Sequence, residues 1–565
     1  VKIAAGKIEK QYDRMVGRGV TEALMPLLMQ REASVFGGNA ALEKLIANRL
    51  GWVDVVLAMR KQVRAITTFG ESAIKSGIDH VILMGMGGSS LCPEVFNLMF
   101  GTHPKLESFH VLDSTDPTAI TAVARAVDLK RTLFIVASKS GGTIETRSHE
   151  AYFLARLREL KVKTPGRQFV AITDPGSGLE AFAKANKYRK IFLNPADIGG
   201  RYSSLSMFGL VPGFFAGVPL GKLLDDARMM QELIAERGDE SNPALALGAF
   251  MAAGWKEGVD KLTFVASKKT APFVPWVEQL VAESTGKKGR GVVPIEAEPL
   301  GSVDSYGPDR AFVFIKLANE SAREHLALKR KLQMLRAPVV EITLPTLESL
   351  GGQFLLWEAA TAAAGWFMSI NPFDEPNVTE SKENTKIILD KYAKTKRFPL
   401  QRGGVSKALT VLSLSDGKSG SSASVESVLA EFFAQAKSGR YVAILNYFKS
   451  DRRTESILGE MRASIRDKTG CATLRGYGPR FLHSIGQLYK GGAESGLFIV
   501  LVRRDYGKAT IPNQPFGFGE LITAQAIGDS QALIKRKLPT VVLEIDGSPA
   551  EGLEQLYRQI KKIIG

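Results

Sequence analysis

The sequence predicts an α/β protein of doubly wound parallel sheets. Three observations carry that reading. Short β-rich runs recur along the chain, segments long enough for a helix separate them, and the same alternation returns in a second and a third stretch. A helical N-terminal segment precedes these units. In such sheets ligands bind at the carboxyl ends of the strands, near a topological switch point, so the loops after the strands are the places where chemistry is expected.

Taken in order, residues 1–75 read as helices, because "GVTEALMPLLMQR" and "NAALEKLIANRLGWVDVVLAMRKQVRAITTFG" carry apolar residues at three- and four-residue spacing. Residues 76–235 form a first unit with strands expected at "HVILMGMG", "FHVLDS", "TLFIVAS", "QFVAIT" and "KIFLNP". A second unit, 236–400, carries "KLTFVAS", "GVVPIEA", "AFVFIKLA" and "PVVEITL". The polar, Gly/Ser-rich stretch 401–426 reads as a linker. A third α/β unit, 427–565, opens with "RYVAILNYF" and resembles the second. Residues 262–297 and 441–476 both run strand, charged turn, helix, Thr-Gly, strand, and "LESLGGQFLLWEAATAAAG" is echoed by "PFGFGELITAQAIGDSQAL". Glu283 of the second unit falls near Ile465 and Arg466 of the third, so the third unit does not repeat that carboxylate's chemistry.

Bulk composition narrows the function. The chain has 565 residues and a formal charge of +16, with only two cysteines, Cys92 and Cys471. Two distant cysteines without ligand spacing fit a cytoplasmic protein with neither a disulfide scaffold nor a zinc site, and no metal or cofactor is expected. No apolar run reaches the ~18 residues of a membrane span, and the N-terminal stretch lacks the apolar centre of a secretory signal. The chain opens at Val1 rather than Met, which leaves room for a preceding segment. Its basic residues are scattered, which points to small anionic substrates more than to nucleic acid.

Four motifs carry chemistry. In "LMGMGGSSLCPE", Gly85, Gly87 and Gly88 follow a strand and permit close backbone approach, while Ser89 and Ser90 stand at an expected helix N-terminus, where free N–H groups favour an anion. It is neither a Walker loop nor G-x-G-x-x-G, and taken alone it also fits a glycine turn with a serine cap. In "SKSGGTIET", Ser138, Ser140 and Thr143 offer hydroxyls, Lys139 a charge, and Gly141 and Gly142 a backbone that curls around an oxyanion. Two such loops suit a phosphate monoester. A dinucleotide is weakened but stays open, since Asp113 lies about where an acidic ribose partner belongs. Arg201 in "GGRYSSLS" follows the last strand of the first unit and is aimed at its carboxyl-end cleft, where it suits developing negative charge. Gln279 and Glu283 share a helix face at i, i+4, and burial there would raise the Glu283 pKa into the range of a general base.

Five segments in this order, "MGMGGSS", "SKSGGTIET", "GGRYSSLS", "ESTGK" and "NPFDEPNVTESK", resemble the phosphoglucose isomerase family over about residues 75–395. "LRGYGPRFLHSIGQLYKGG" and "FGELITAQAIGD" are similar to the isomerase half of bifunctional transaldolase/phosphoglucose isomerases, so a transaldolase portion, fused or removed, is an expectation. The resemblance implies sugar-isomerase (SIS-type) domains and reversible isomerisation of glucose 6-phosphate and fructose 6-phosphate without a cofactor. It implies that Ser89, beside Gly88, grips the substrate phosphate with Ser138, Lys139, Ser140 and Thr143. Gln279 would bind substrate, Glu283 would move the proton between C2 and C1, Arg201 would steady the enediolate, and Lys382 would lie by the sugar ring. Ring opening is assigned to His483, because the position after "GGQ", where the family often has its histidine, is Phe354. Glu375 stands where the family usually has Gln. A dual phosphoglucose/phosphomannose isomerase and a non-catalytic phosphosugar sensor are the alternatives. Family isomerases commonly complete each site with a partner subunit's histidine; His483 on a duplicated module would allow a functional monomer, and monomer and homodimer both stay open.

Overall fold

The computed structural model describes residues 1–414 and 423–565. A short strand β1 (Lys2–Ala4) opens the chain. The first sheet holds β2 (His80–Met84), β3 (Ser108–Leu112), β4 (Thr132–Ala137), β5 (Phe169–Thr173) and β6 (Lys190–Leu193), all parallel, in the order β3-β2-β4-β5-β6. Every residue of β2, β4 and β5 is buried, as their unbroken apolar runs require of strands covered on both faces.

The second sheet holds β7 (Lys261–Ala266), β8 (Val293–Ile295), β9 (Arg310–Leu317) and β10 (Val339–Leu344), in the order β1-β10-β9-β7-β8. The third holds β11 (Gln401–Ser406), β12 (Leu409–Ser413), β13 (Tyr441–Tyr447), β14 (Ala472–Tyr477), β15 (Gly496–Arg503) and β16 (Thr540–Ile545), in the order β11-β12-β16-β15-β13-β14. The same order underlies all three: each unit's second strand lies outside its first, with the third and fourth on the other side. The connection therefore reverses between β2 and β4, between β7 and β9, and between β13 and β15. These are the switch points at which an open α/β sheet leaves a crevice.

Three expectations need correction. The N-terminal segment is not wholly helical, since β1 pairs antiparallel with β10 at the edge of the second sheet. Nor is "GVTEALMPLLMQR" one helix. Pro26 cannot continue a helix from Glu22 without clashing, and the chain breaks at left-handed Ala23 between helices Glu9–Thr21 and Leu24–Met29. Of the stretch read as a linker, 401–413 form a β11–β12 hairpin whose second strand pairs antiparallel with β16, and residues 415–422 lie outside the described residues. Alternation in "ALTVLS" outweighs the glycines around it, because Leu409, Val411 and Leu412 find a core.

The internal repeat holds in topology over β7–β10 and β13–β16, down to an antiparallel strand beside the fourth, which is the edge in the second sheet and is followed by β11 in the third. The helical echo does not. Helix Leu350–Phe367 follows the fourth strand of its unit, whereas helix Phe518–Lys535 precedes the fourth strand of its own. The two sequences resemble each other because both helices are deeply buried and rich in small residues. Helix Leu350–Phe367 is buried at every position and packs on helices Pro243–Lys256 and Leu220–Glu236. A Cβ at Gly248 would lie 2.7 Å from the carbonyl oxygen of Ala360, so these helices approach to backbone contact. Apolar seams join the units: Ala282 and Val293 pack with Ile485 and Leu488, and Leu179 shares a core with Phe518 and Leu521. No helix among the described residues is long and apolar enough to cross a membrane.

Candidate active site

The site is assembled at the switch point of the first sheet, where the loops after β2 and β4 meet a helix of the second unit and a turn of the third. Helix Val274–Thr285 has Trp276, Val277, Leu280 and Val281 in the core, and its last turn carries Glu283 into the seam. Glu283 is only 8% exposed. Its Oε1 lies 3.6 Å from Nη1 of Arg201, and its Oε2 accepts a hydrogen bond from Nε2 of Gln279 at 3.1 Å. Burial raises the Glu283 pKa; Arg201 pulls it down and Glu375 pushes it up, and the balance stays above the ordinary carboxylate value.

Arg201 is locked in place. It stands in the turn Gly200–Tyr202, and its Nε donates to Ser284 Oγ at 2.7 Å. Nη2 donates to the carbonyls of Pro372 and Asp374 at 2.7 and 2.8 Å, and Nη1 reaches Glu375 Oε2 at 3.1 Å. Glu375 is thus an ion-pair partner of Arg201 on the rim, and this pairing explains how the chain tolerates a carboxylate there. Lys287, buried one turn beyond Glu283, donates to the Asn371 carbonyl at 2.6 Å and pairs with Asp374 at 2.7 Å. Its pKa is lowered to about 8, first by burial and then by Arg201.

Gln279 links this centre to the third unit. The same Nε2 that touches Glu283 donates to the His483 carbonyl at 2.8 Å, while its buried Oε1 has no partner among the described residues. His483 ends the turn Arg480–His483, which Arg480 pins to the first unit by pairing with Glu94 and, at 3.2 Å, with Asp113. The His483 ring reaches toward helix Ile144–Glu159, and its Nε2 lies 3.0 Å from Glu145 Oε1. Glu145 is buried, and Gln525 Nε2 donates to the same oxygen at 2.7 Å. Burial alone would raise the Glu145 pKa; the charge and hydrogen bond of His483, with help from Lys382, more than offset it and hold the carboxylate low.

The glycine-serine loop proves to be a packing joint. Gly87 has φ +53°, and a Cβ there would collide with the His483 carbonyl and lie 2.9 Å from Gln279 Nε2. A Cβ on Gly88 would collide with the Gly200 carbonyl. These two glycines let the turns bearing Arg201 and His483 close against the first sheet. Ser90 Oγ contacts Asp113 at 3.2 Å, which occupies the carboxylate considered for a ribose.

A cleft of about 630 Å³ opens beside His483, lined by Ser140, Gly142, Thr143, Glu145, Lys382 and Gln525 among others. Thr143 stands at the N-cap position of helix Ile144–Glu159 without a side-chain cap hydrogen bond, and the first turn of that helix, with its free N–H groups, lines the cleft. Ser138 shapes the loop from beneath: its Oγ accepts from Gly141 N–H and lies 3.1 Å from Thr143 Oγ1. The structure thus brings together Glu283, Arg201, Gln279 and His483 at the seam, and Ser140, Thr143 and Lys382 with His483 at the cleft. It does not bring Lys139 there. The Lys139 ammonium is held by Asp174 and, at 2.9 Å, by the Ala196 carbonyl, because the loop turns its side chain toward β5 and β6. Gly88 and Ser89 also lie off the lining of the cleft. Sequence reasoning gives no role to Glu145, Lys287 and Gln525, although all three lie inside the quoted motifs. Their signal is an ionisable or amide side chain in an otherwise small or apolar setting. His149 lies one turn beyond Glu145 on the same helix and feels its charge, but its ring is buried, contacts the Ser114 carbonyl and stacks on Phe518.

Comparison with known proteins places the chain in a family. The family model for phosphoglucose isomerase matches residues 47–296, which include both loops, Arg201, Gln279 and Glu283. A glucose-6-phosphate isomerase of Thermus thermophilus is 30% identical over 319 residues, spanning 55% of this chain and 73% of that protein. One from Methanocaldococcus jannaschii is 27% identical over 345 residues, spanning 54% and 84%. Among solved structures, a hypothetical protein from Thermus thermophilus superposes with a TM-score of 0.57 at 25% identity, covering 68% of this chain and 99% of that one. A glucose-6-phosphate isomerase from Chlamydia trachomatis shares the fold, with a TM-score of 0.54 at 18% identity over 68% of this chain and 86% of its own. On the sequence match and the ordered motifs that line this seam, the chain belongs to the phosphoglucose isomerase family.

Proposed function

We infer that the chain interconverts glucose 6-phosphate and fructose 6-phosphate through a cis-enediolate. One observation carries the reading: a buried carboxylate of raised pKa, Glu283, stands between a fixed guanidinium and an amide that also holds the His483 turn. The substrate phosphate sits at Ser140, Thr143 and the N-terminus of helix Ile144–Glu159, where N–H groups and hydroxyls replace its water. His483, oriented by Glu145, opens the ring with Lys382 alongside. Glu283 takes the C2 proton and returns it to C1. Arg201, unable to move away, stabilises the enediolate oxygen. Gln279 Oε1, buried and without a partner among the described residues, accepts a sugar hydroxyl.

The presence of a base with its electrophilic partner favours catalysis over sensing. A dehydrogenase-coupled assay tests it: Glu283→Gln lowers kcat by about 10³-fold, within the usual range for loss of a general base, with little change in KM. Retained turnover in that variant sinks the mechanism. Because His483 reaches the seam from the same chain, a single copy suffices for activity; sedimentation of active enzyme as an obligate dimer contradicts this. The third unit's motifs favour an association with transaldolase, as in the fused isomerases they resemble, and a cytoplasmic setting. Co-purification with transaldolase activity from the native source tests that association.

A further inference from the structure

Away from the catalytic seam, a second cavity of about 380 Å³ opens where helix Glu9–Thr21 packs on helix Pro243–Lys256. Four cations line it: Arg14 and Arg18 from the first helix, Lys256 at the end of the second, and Arg290 from the loop before β8. None of the residues lining it is acidic. Arg18 pairs outside the cavity with Glu22 at 2.8 Å, while Arg14 and Lys256 have no carboxylate partner among the described residues. Aromatic faces fix the guanidinium groups, with Arg18 4.2 Å above the ring of Trp366 and Arg290 5.7 Å from that of Trp255. Like charges gathered in a concave site raise the local potential, and an anion relieves it. The apolar floor at Trp255 and Met368 suits a ligand with a flat, uncharged part beside its charged one.

We propose that this cavity binds a small organic polyphosphate of the nucleoside di- or triphosphate class, and that its occupancy lowers turnover at the catalytic seam. The coupling half of the proposal rests on the isomerase reading above. Its path is short. Arg290 donates to the Met368 carbonyl at the head of the segment 369–377. That segment supplies the Asn371 carbonyl to Lys287 and the Pro372 and Asp374 carbonyls to Arg201. Ser369, with φ +54°, is held in a left-handed conformation at its start and lines the cavity. A polyphosphate that draws the Arg290 guanidinium toward itself takes it from Met368 and loosens the carbonyl cradle of Arg201. A ligand shifts an equilibrium only by binding two states differently, and Arg290 is the group that differs here.

Isothermal titration of the whole chain with ATP, and separately with pyrophosphate, reads binding without reference to turnover. We expect saturable ATP binding at one site per chain, undisturbed by fructose 6-phosphate and tighter than that of pyrophosphate. Arg14→Ser with Lys256→Ser, both exposed positions, weakens it at least about ten-fold while leaving the melting temperature and the basal kcat unchanged. ATP lowers kcat but not the apparent affinity for fructose 6-phosphate in the unmodified protein, and does neither in the double variant. Absence of saturable binding, binding unchanged by the double substitution, or displacement by fructose 6-phosphate overturns the site. Equal affinity for pyrophosphate overturns the nucleoside class, and binding without an effect on kcat overturns the coupling.

Discussion

As the proposed base, Glu283 must be buried to be strong enough and yet ionised to act at all. Its surroundings balance these demands: desolvation and Glu375 push its pKa up, while Arg201 and Gln279 pull it down. The acidic limb of the kcat/KM profile therefore inflects above the ordinary glutamate range. Glu375→Gln removes the negative neighbour and frees Arg201 to act on Glu283 alone. Both changes lower the Glu283 pKa, so the limb moves to lower pH; an unmoved or rising limb contradicts the assignment. Lys139 makes the opposite case. Its ammonium is committed to Asp174 and the Ala196 carbonyl, so Lys139→Met changes the KM for fructose 6-phosphate less than Thr143→Val does. Initial-rate kinetics on the two variants decide between a lysine that holds substrate and one that holds a loop.

At the scale of elements, the glycine-serine loop and the turn Arg480–His483 form one joint. Gly87→Ala meets both a left-handed backbone and the His483 carbonyl, at a cost of about 1–3 kcal/mol. Gly176, with φ +77° and open space around it, is the control. Gly87→Ala lowers both melting temperature and kcat, whereas Gly176→Ala costs about 1–2 kcal/mol and leaves kcat alone. The strands are legible in the sequence because each is an apolar run bounded by turns, and the runs from "HVILMGMG" to "RYVAILNYF" all form strands. The β11–β12 hairpin is not, since the glycines around it read as linker and its partner β16, which makes the alternation of "ALTVLS" count, lies more than a hundred residues on. The site divides the same way. Glu283, Gln279 and Arg201 stand in motifs whose spacing aims them, and the structure brings them together. The direction of the Lys139 side chain depends on Asp174, thirty-five residues away, which no loop pattern encodes.

Across the whole molecule, the charge of +16 is of the sign that would steer an anionic sugar phosphate toward the proposed site. Raising ionic strength from about 0.01 to 0.15 M shortens the screening length from ~30 to ~8 Å, so kcat/KM falls while kcat changes little. A flat kcat/KM over that range removes steering from the account. Three copies of one strand order surround the proposed site, which none of them contains alone: the first gives Ser140, Thr143 and Arg201, the second Glu283, the third His483. Because His483 and Gln525 come late in the chain, a molecule still being synthesised lacks both until the third unit has been made. On the proposed reading, a chain carrying only the first two units has its sheets but no turnover, and addition of the separately made third unit is the test of whether the seam can form afterwards.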